Sequence, residues 1–334
     1  MTPLLIGCYT AESGGNGRSL VRTAVHADGS FEPVVAASDD VASPSFLARH
    51  PQLPVVYAAS ELDAGVLTTY DASSGRLSVL DAQSTGGSLP CHVAIDDAGR
   101  TLAVAGYGDG SLSIFTLDPA GIPGDQQVFH HQGTGPHPER QDRAHCHQVT
   151  FGVGISVSDL GADRIRRYMH AGDHWAAAAG GDVAVRKGSG PRHIAVDGHF
   201  RYVVDELQPG VTSYRVDGGT GRWEEVSRAA YTGDVARCLP SHVLLHKGFL
   251  YVANRGVDTM TVLQVTDGAL ASVAEVPVGG VWPRHFALIG DVLVVANQQS
   301  DSLTSLLLSA DDPVPVLTSY QLATGSPTCI LPLG

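Results

Sequence analysis

Apolar runs of four to six residues, rich in Val, Ile, Tyr and Phe, recur along the whole chain and are broken by short turns marked with Gly and Asp. One unit reads His193-Ile194-Ala195-Val196, then Asp197-Gly198-His199-Phe200, then Arg201-Tyr202-Val203-Val204-Asp205. Runs of that length bounded by turn formers predict the two strands of a hairpin. A second hairpin follows in most units, with turns at Asp28-Gly29, Ser74-Gly75, Asp217-Gly218 and Asp267-Gly268, where Gly supplies the positive φ of a tight turn. Four antiparallel strands per unit result.

A short phrase, Pro-X-His, opens these units. It stands as Pro90-Cys91-His92, Pro191-Arg192-His193, Pro240-Ser241-His242 and Pro283-Arg284-His285, with looser copies at Pro44-Ser45-Phe46, His145-Cys146-His147 and Pro327-Thr328-Cys329. The intervals between the seven anchors are 46, 55, 46, 49, 43 and 44 residues. Repeats of roughly 40–50 residues with four strands each are the requirement of a β-propeller blade. The fold class is therefore all-β, a seven-bladed β-propeller, with residues 1–334 forming a single domain. Pro327 to Leu333 matches only a first strand, whereas Leu4 to Cys8, Ser19 to Ala24 and Phe31 to Ala36 supply three strands with no first strand before them. The last blade is predicted to be closed by the N- and C-terminal strands together, which pairs the edge an open ring would expose.

Composition narrows the partners. Hydrophobic residues make up 43% of the chain, Gly numbers 39 and charged residues 16%, as suits many buried strands joined by tight turns. The formal net charge of −13 disfavours broad attraction to nucleic acid or an anionic membrane, so no nucleic-acid or membrane partner is expected. An anionic small ligand would have to be caught by a few local arginines. Five cysteines without a CxxC spacing predict a reducing, cytoplasmic location. Met1 to Gly7 lacks a basic leader and a long apolar stretch, and so reads as a strand. No run approaches the ~18 apolar residues of a membrane helix.

Strand pairing then gathers the chemistry. The first two strands of a blade run antiparallel, so the end of strand two lies beside the Pro-X-His phrase that opens strand one. The strand-two ends are Cys8-Tyr9, Ser60-Glu61, Gly106-Tyr107, Asp159-Leu160, Asp205-Glu206, Asn254-Arg255 and Asn297-Gln298. Both sets fall on one face of the disc around its central channel, where converging His, Glu, Arg and Tyr are the raw material of a ligand site. Arg192 is expected to pair with a carboxylate such as Glu206 or to face the channel, and one guanidinium can do both. His92, His193, His285, Tyr107 and Gln298 are candidate substrate contacts beside Arg284, although inter-blade hydrogen bonding is the simpler expectation for His92, His242 and His285. His145 and His147, two apart on a strand, share a face at a metal-ligand spacing. No further Asp, Glu or Cys completes a coordination set, so no metal and no cofactor is expected. The stretch Gln132 to Asp142, with His130, His131 and His137 in or beside it, reads as a surface loop rimming the site.

These residues resemble the bacterial 6-phosphogluconolactonase family of the seven-bladed propeller type, which includes fungal carboxy-muconate cyclases. The resemblance rests on Gly7-Cys8-Tyr9-Thr10, Pro44-Ser45-Phe46-Leu47-Ala48, Pro90-Cys91-His92-Val93-Ala94, His137-Pro138-Glu139-Arg140-Gln141, His145-Cys146-His147, Gly188-Ser189-Gly190-Pro191-Arg192-His193, Asp205-Glu206-Leu207 and Trp282-Pro283-Arg284-His285-Phe286. It implies that His147, Arg192, Glu206 and either Arg255 or Arg284 form the functional set. Asp205 stands where Asn is usual, and an Asp there is expected to raise or redistribute the carboxylate pKa values beside Glu206.

The resulting expectation is a metal-independent lactonase acting on a polar, anionic sugar lactone at the channel mouth. Glu206 or His147 would deprotonate water, Arg192 would face the oxyanion, and Arg255 or Arg284 would hold the anionic tail. The same residues would serve a cycloisomerase joining a carboxylate to an alkene. A non-catalytic binding propeller is the third reading, disfavoured because aromatic anchors total only 6% of the chain.

Overall fold

The computed structural model describes residues 1–334 as seven antiparallel sheets arranged as a ring of blades. Blade 1 runs Pro44–Arg49, Val55–Ser60, Val66–Asp71 and Ser78–Ser84; blade 2 runs Pro90–Ile95, Thr101–Gly106, Ser111–Leu117 and Pro123–His130. Blade 3 comprises Cys146–Phe151, Ile155–Asp159, Arg164–Ala171 and His174–Ala177, with the two-residue strand Val183–Ala184 also pairing with Arg164–Ala171. Blades 4, 5 and 6 open with Pro191–Asp197, Leu239–His246 and Pro283–Ile289. Blade 7 joins Pro327–Pro332 to Thr2–Cys8, followed by Leu20–Val25 and Val35–Ser38.

Ring closure by both ends of the chain is thus observed, in the register Leu4↔Pro332 to Gly7↔Cys329. The outer strand of blade 7 begins later than the expected Phe31. Phe31 makes only an isolated bridge to Val25, because Pro33, lacking an N–H, interrupts the ladder.

The core is divided among the seams between blades. Each seam holds one cluster of buried apolar side chains, such as Leu4, Ile6, Val294 and Leu303 between blades 6 and 7, or Tyr57, Leu67, Val104 and Phe115 between blades 1 and 2. Side chains that alternate along a strand therefore serve two seams in turn. Cys329 packs toward blade 1 and its neighbour Ile330 toward blade 6, so the last strand ties both sides of the closing blade.

Candidate active site

Two backbone devices build the channel mouth. In every blade the pairing of strands one and two shifts register at the opening phrase: between Pro44 and Phe46, Pro90 and His92, Cys146 and Gln148, Pro191 and Ile194, Pro240 and Val243, and Pro283 and His285, and at Gly7/Cys8 in blade 7. A bulge of this kind breaks the strict alternation of faces. It lets both residues after Pro turn toward the centre of the ring. The middle residue reaches the next blade: Ser45 Oγ donates to the Pro90 carbonyl at 3.3 Å, Ser241 Oγ to that of Pro283 at 2.7 Å, and Arg192 Nη1 to that of Ser241.

The second device is a left-handed residue directly before the phrase. Ser43, Leu89, Gly190, Trp282 and Ser326 have φ of 46°, 48°, 61°, 64° and 38°. Their carbonyls accept the N–H groups of Glu61, Tyr107, Glu206, Gln298 and Tyr9 at 2.9 to 3.1 Å. Each strand-two end is thereby fixed at the mouth. Four of these residues are not Gly, a costly conformation that concentrates where position matters.

Glu206 is the centre of the arrangement. It is fully buried, and three arginines from three places in the chain converge on it. Arg140 Nη2 hydrogen-bonds Oε1 at 2.5 Å, while Arg192 Nε and Arg255 Nη2 lie 2.9 and 2.8 Å from Oε2. The latter two share Oε2, so both guanidinium groups are buried ion-pair partners of one carboxylate oxygen. Burial pushes the Glu206 carboxyl up, but Arg255, Arg140 and Arg192 together outweigh it and hold the group well below the ordinary carboxylate range. A carboxylate so stabilised is a weak base. Burial and the neighbouring Arg255 push Arg192 down, opposed by Glu206, yet a guanidinium that starts above 12 stays charged at neutral pH.

Arg284 sits on the opposite side of the mouth and is already matched. Its Nη2 lies 3.1 Å from Glu61 Oε2, its guanidinium lies over the Tyr9 ring at 4.8 Å, and Gln298 Oε1 is 3.5 Å from Nη1. Tyr9 donates its hydroxyl to the same Glu61 oxygen at 2.6 Å. The four arginines thus face two carboxylates, and the unbalanced positive charge lies around Glu206.

His92, His147, His193, His242 and His285 cluster with Phe46 at the inner strands of the blades. Their ring centroids lie 4.1 to 5.6 Å from those of neighbouring rings, His92 meeting Phe46 and His193. His92 Nδ1 accepts the Val149 N–H at 3.5 Å and His285 Nδ1 the Ile330 N–H at 3.3 Å, each across a seam. These two bonds tie neighbouring blades together through Nδ1 of each ring. His193 and His242 pair through their Nδ1 atoms at 2.9 Å, leaving His193 Nε2 buried and unpartnered. Burial and nearby cations keep all five imidazoles below their ordinary range and hence neutral, His92 and His285 at about 3.

His147 lies beside Tyr107, the ring centroids 5.6 Å apart, with Nδ1 3.7 Å from Cys91 Sγ. His145 does not share its face. The bulge within the phrase separates them, and His145 stacks on Tyr107 at 4.4 Å with Nδ1 on the Tyr107 carbonyl and Nε2 on Asp142. The two therefore diverge instead of offering a metal-ligand pair. No three His, Cys, Asp or Glu side chains of the chain group as a metal site would require.

Asp205 faces away from this cluster. Strand alternation turns it away from Glu206, and its Oδ2 accepts Thr212 Oγ1 at 2.6 Å and lies 3.3 Å from Arg228 Nε. Asn254 and Asn297, at the same position of blades 5 and 6, likewise bond threonines of their third strands, which explains why an amide suits this place. Arg140, in contrast, is a site residue that strand register does not reveal, since it comes from the connection between blades 2 and 3. The long interval of 55 residues and the phrase His137 to Gln141 were its traces in the sequence.

Comparison with known proteins agrees with this geometry. Residues 3–332 match the family described as "Lactonase, 7-bladed beta-propeller". The chain is 30% identical to a 6-phosphogluconolactonase of Formosa agariphila over 79% of its own length and 81% of that protein's. It is likewise 30% identical to a 6-phosphogluconolactonase of Bacillus subtilis, over 81% of each. The solved structure of the periplasmic gluconolactonase PpgL of Pseudomonas aeruginosa superposes with a TM-score of 0.92 at 28% identity, covering 100% of this chain and 99% of that one. With seven blades closed by both chain ends, and a matched stretch that leaves out only four terminal residues, the chain belongs to the lactonase family of seven-bladed β-propellers.

Proposed function

We propose that the protein hydrolyses an anionic sugar lactone at the channel mouth, without a metal ion and in a reducing compartment. The observation that carries the reading is the convergence of Arg140, Arg192 and Arg255 on the single carboxylate of Glu206, which leaves an excess of positive charge in a buried site. A lactone carbonyl that becomes an oxyanion would meet that excess, because preorganised positive donors are worth most where negative charge develops.

His147 then serves as the base. It is neutral, and Glu206, held by three arginines, orients them instead of accepting protons. Water attacks the carbonyl carbon while His147 takes its proton. Collapse of the tetrahedral intermediate breaks the ring C–O bond, and the same imidazole returns the proton to the leaving oxygen to give the hydroxy acid. Surplus charge around Glu206 attracts the anionic substrate to a molecule of net charge −13. The five unpaired thiols fit a cytoplasmic location.

The test is hydrolysis of a panel of sugar lactones, with unsaturated dicarboxylic acids alongside to detect cycloisomerisation, after dialysis against a chelator. Arg192→Gln, shown folded by its melting curve, is expected to lower kcat by ~10²-fold or more, with a smaller effect on KM. Because the His147 pKa is depressed, the acid limb of the wild-type rate should lie below pH 6.5. Full activity in Arg192→Gln, or activity that returns only with a divalent ion, would overturn the assignment.

A further inference from the structure

The mouth holds more positive charge than ester hydrolysis needs, and one of its arginines is placed differently from the others. Arg192 and Arg255 keep only 2% and 8% of their side chains open to solvent, whereas Arg140 keeps 31%. A guanidinium has five N–H donors. Arg140 uses Nε on the Tyr107 hydroxyl at 3.1 Å and one Nη2 hydrogen on Glu206, so three remain on a side chain that is 31% open to solvent.

Its carrier is a pinned loop rather than a loose one. Gln141, 1% exposed, donates from Nε2 to the Leu160 carbonyl at 2.8 Å and to Asp163 Oδ1 at 2.7 Å. Its Oε1 accepts the His137 N–H, and His137 Nδ1 accepts the N–H of Arg140 itself at 3.2 Å. The loop also lies directly on Gly161, where an added Cβ would collide with the Arg143 carbonyl. Asp163 in turn accepts the N–H groups of Gly188 and Gly190, which precede Pro191 and Arg192. One buried carboxylate therefore sets the loop of Arg140 and the phrase of Arg192 against each other. A long flexible side chain held this way loses little entropy on binding.

We propose that Arg140 is the specificity-determining residue that selects lactones bearing a second, non-reacting oxyanion, a phosphate or carboxylate tail, over uncharged ones. This rests on the lactonase reading above. Arg192 and Arg255, deep in the wall, meet the reacting carbonyl; Arg140 meets the tail at the solvent side. Arg284 is less suited to the task because Glu61 already neutralises it.

The experiment compares Arg140→Gln and Arg140→Lys with wild type on three substrates: 6-phosphogluconolactone, glucarolactone with a carboxylate in place of the phosphate, and uncharged gluconolactone. The expected result for Arg140→Gln is a ~10–100-fold fall in the ratio of kcat/KM for charged over uncharged lactone, the range of one or two charge-assisted hydrogen bonds. The loss should reside mainly in KM, with Arg140→Lys intermediate. Whichever charged substrate loses more identifies the tail. A ratio that stays constant while both rates fall would reduce Arg140 to a support for Glu206 and overturn the proposal. Should wild type hydrolyse none of the three, the lactonase reading fails, and calorimetric titration with inorganic phosphate decides the remainder. Phosphate binding that weakens at least ~10-fold in Arg140→Gln supports the tail site, whereas equal binding in both, or none in wild type, rejects it.

Discussion

Asp205 and Glu206 are neighbours in opposite electrostatic states. Glu206 is held anionic by three arginines, while burial pushes the Asp205 carboxyl up to about 7, against the Thr212 hydrogen bond and Arg228. An unfolded aspartate titrates near 3.9. Because the folded value is the higher one, the stability associated with Asp205 is intact below pH ~4 and is lost as pH rises toward 7. Asp205→Asn, the residue found at this place in blades 5 and 6, should therefore raise the melting temperature at pH 8 and change it little at pH 4. An equal shift at both values, or a loss at pH 8, would mean that Asp205 is ionised and that Arg228 compensates it. The raised carboxyl expected at this position is Asp205 itself, while Glu206 stays low because adjacent residues of a strand face opposite sides and Asp205 precedes the turn that carries Glu206 inward.

At the scale of the strand, the repeated phrase was legible because the same backbone geometry is demanded in every blade. Its meaning was not. Period-two alternation predicts that Arg192 and His193 point to opposite faces, and only the bulge at Pro191/Ile194 shows that both turn inward. Arg140 escaped the same reasoning for a different reason, since a loop has no register from which a direction can be inferred. The terminal strand offers a direct check. Pro327–Pro332 pairs with Thr2–Cys8 and places Cys329 and Ile330 in two different seams. Removing Ser326 to Gly334 should leave an unpaired apolar edge and yield aggregated or poorly folded protein. A truncated form that remains soluble with an unchanged melting temperature would contradict the closure.

Over the whole ring the seams are unequal. Six hold clusters of 8 to 11 buried apolar residues, whereas the seam between blades 3 and 4 holds 4: Ile165, Ile194, Val203 and Tyr214. Polar groups take their place there, among them Asp163, which accepts the N–H groups of Gly188 and Gly190. Local opening follows the thinnest packing. Amide exchange in Arg164–Ala171 and Gly210–Val216 should be the fastest among the third strands, and a ligand at Glu206 should slow it; uniform exchange in all seven would argue against a weak seam. The shared seventh blade has a further consequence, for the order in which the molecule can be made. Residues 2–8 are synthesised ahead of their inner partner, which emerges only about 320 residues later, a wait of roughly 16–64 s at 5–20 residues per second. Throughout that time the nascent chain carries an open β-edge, the kind of edge that pairs with neighbouring chains. Gly334 lies against Thr2, so a circular permutant that joins the ends and opens between Asp39 and Asp40 would let every blade complete itself as it is synthesised.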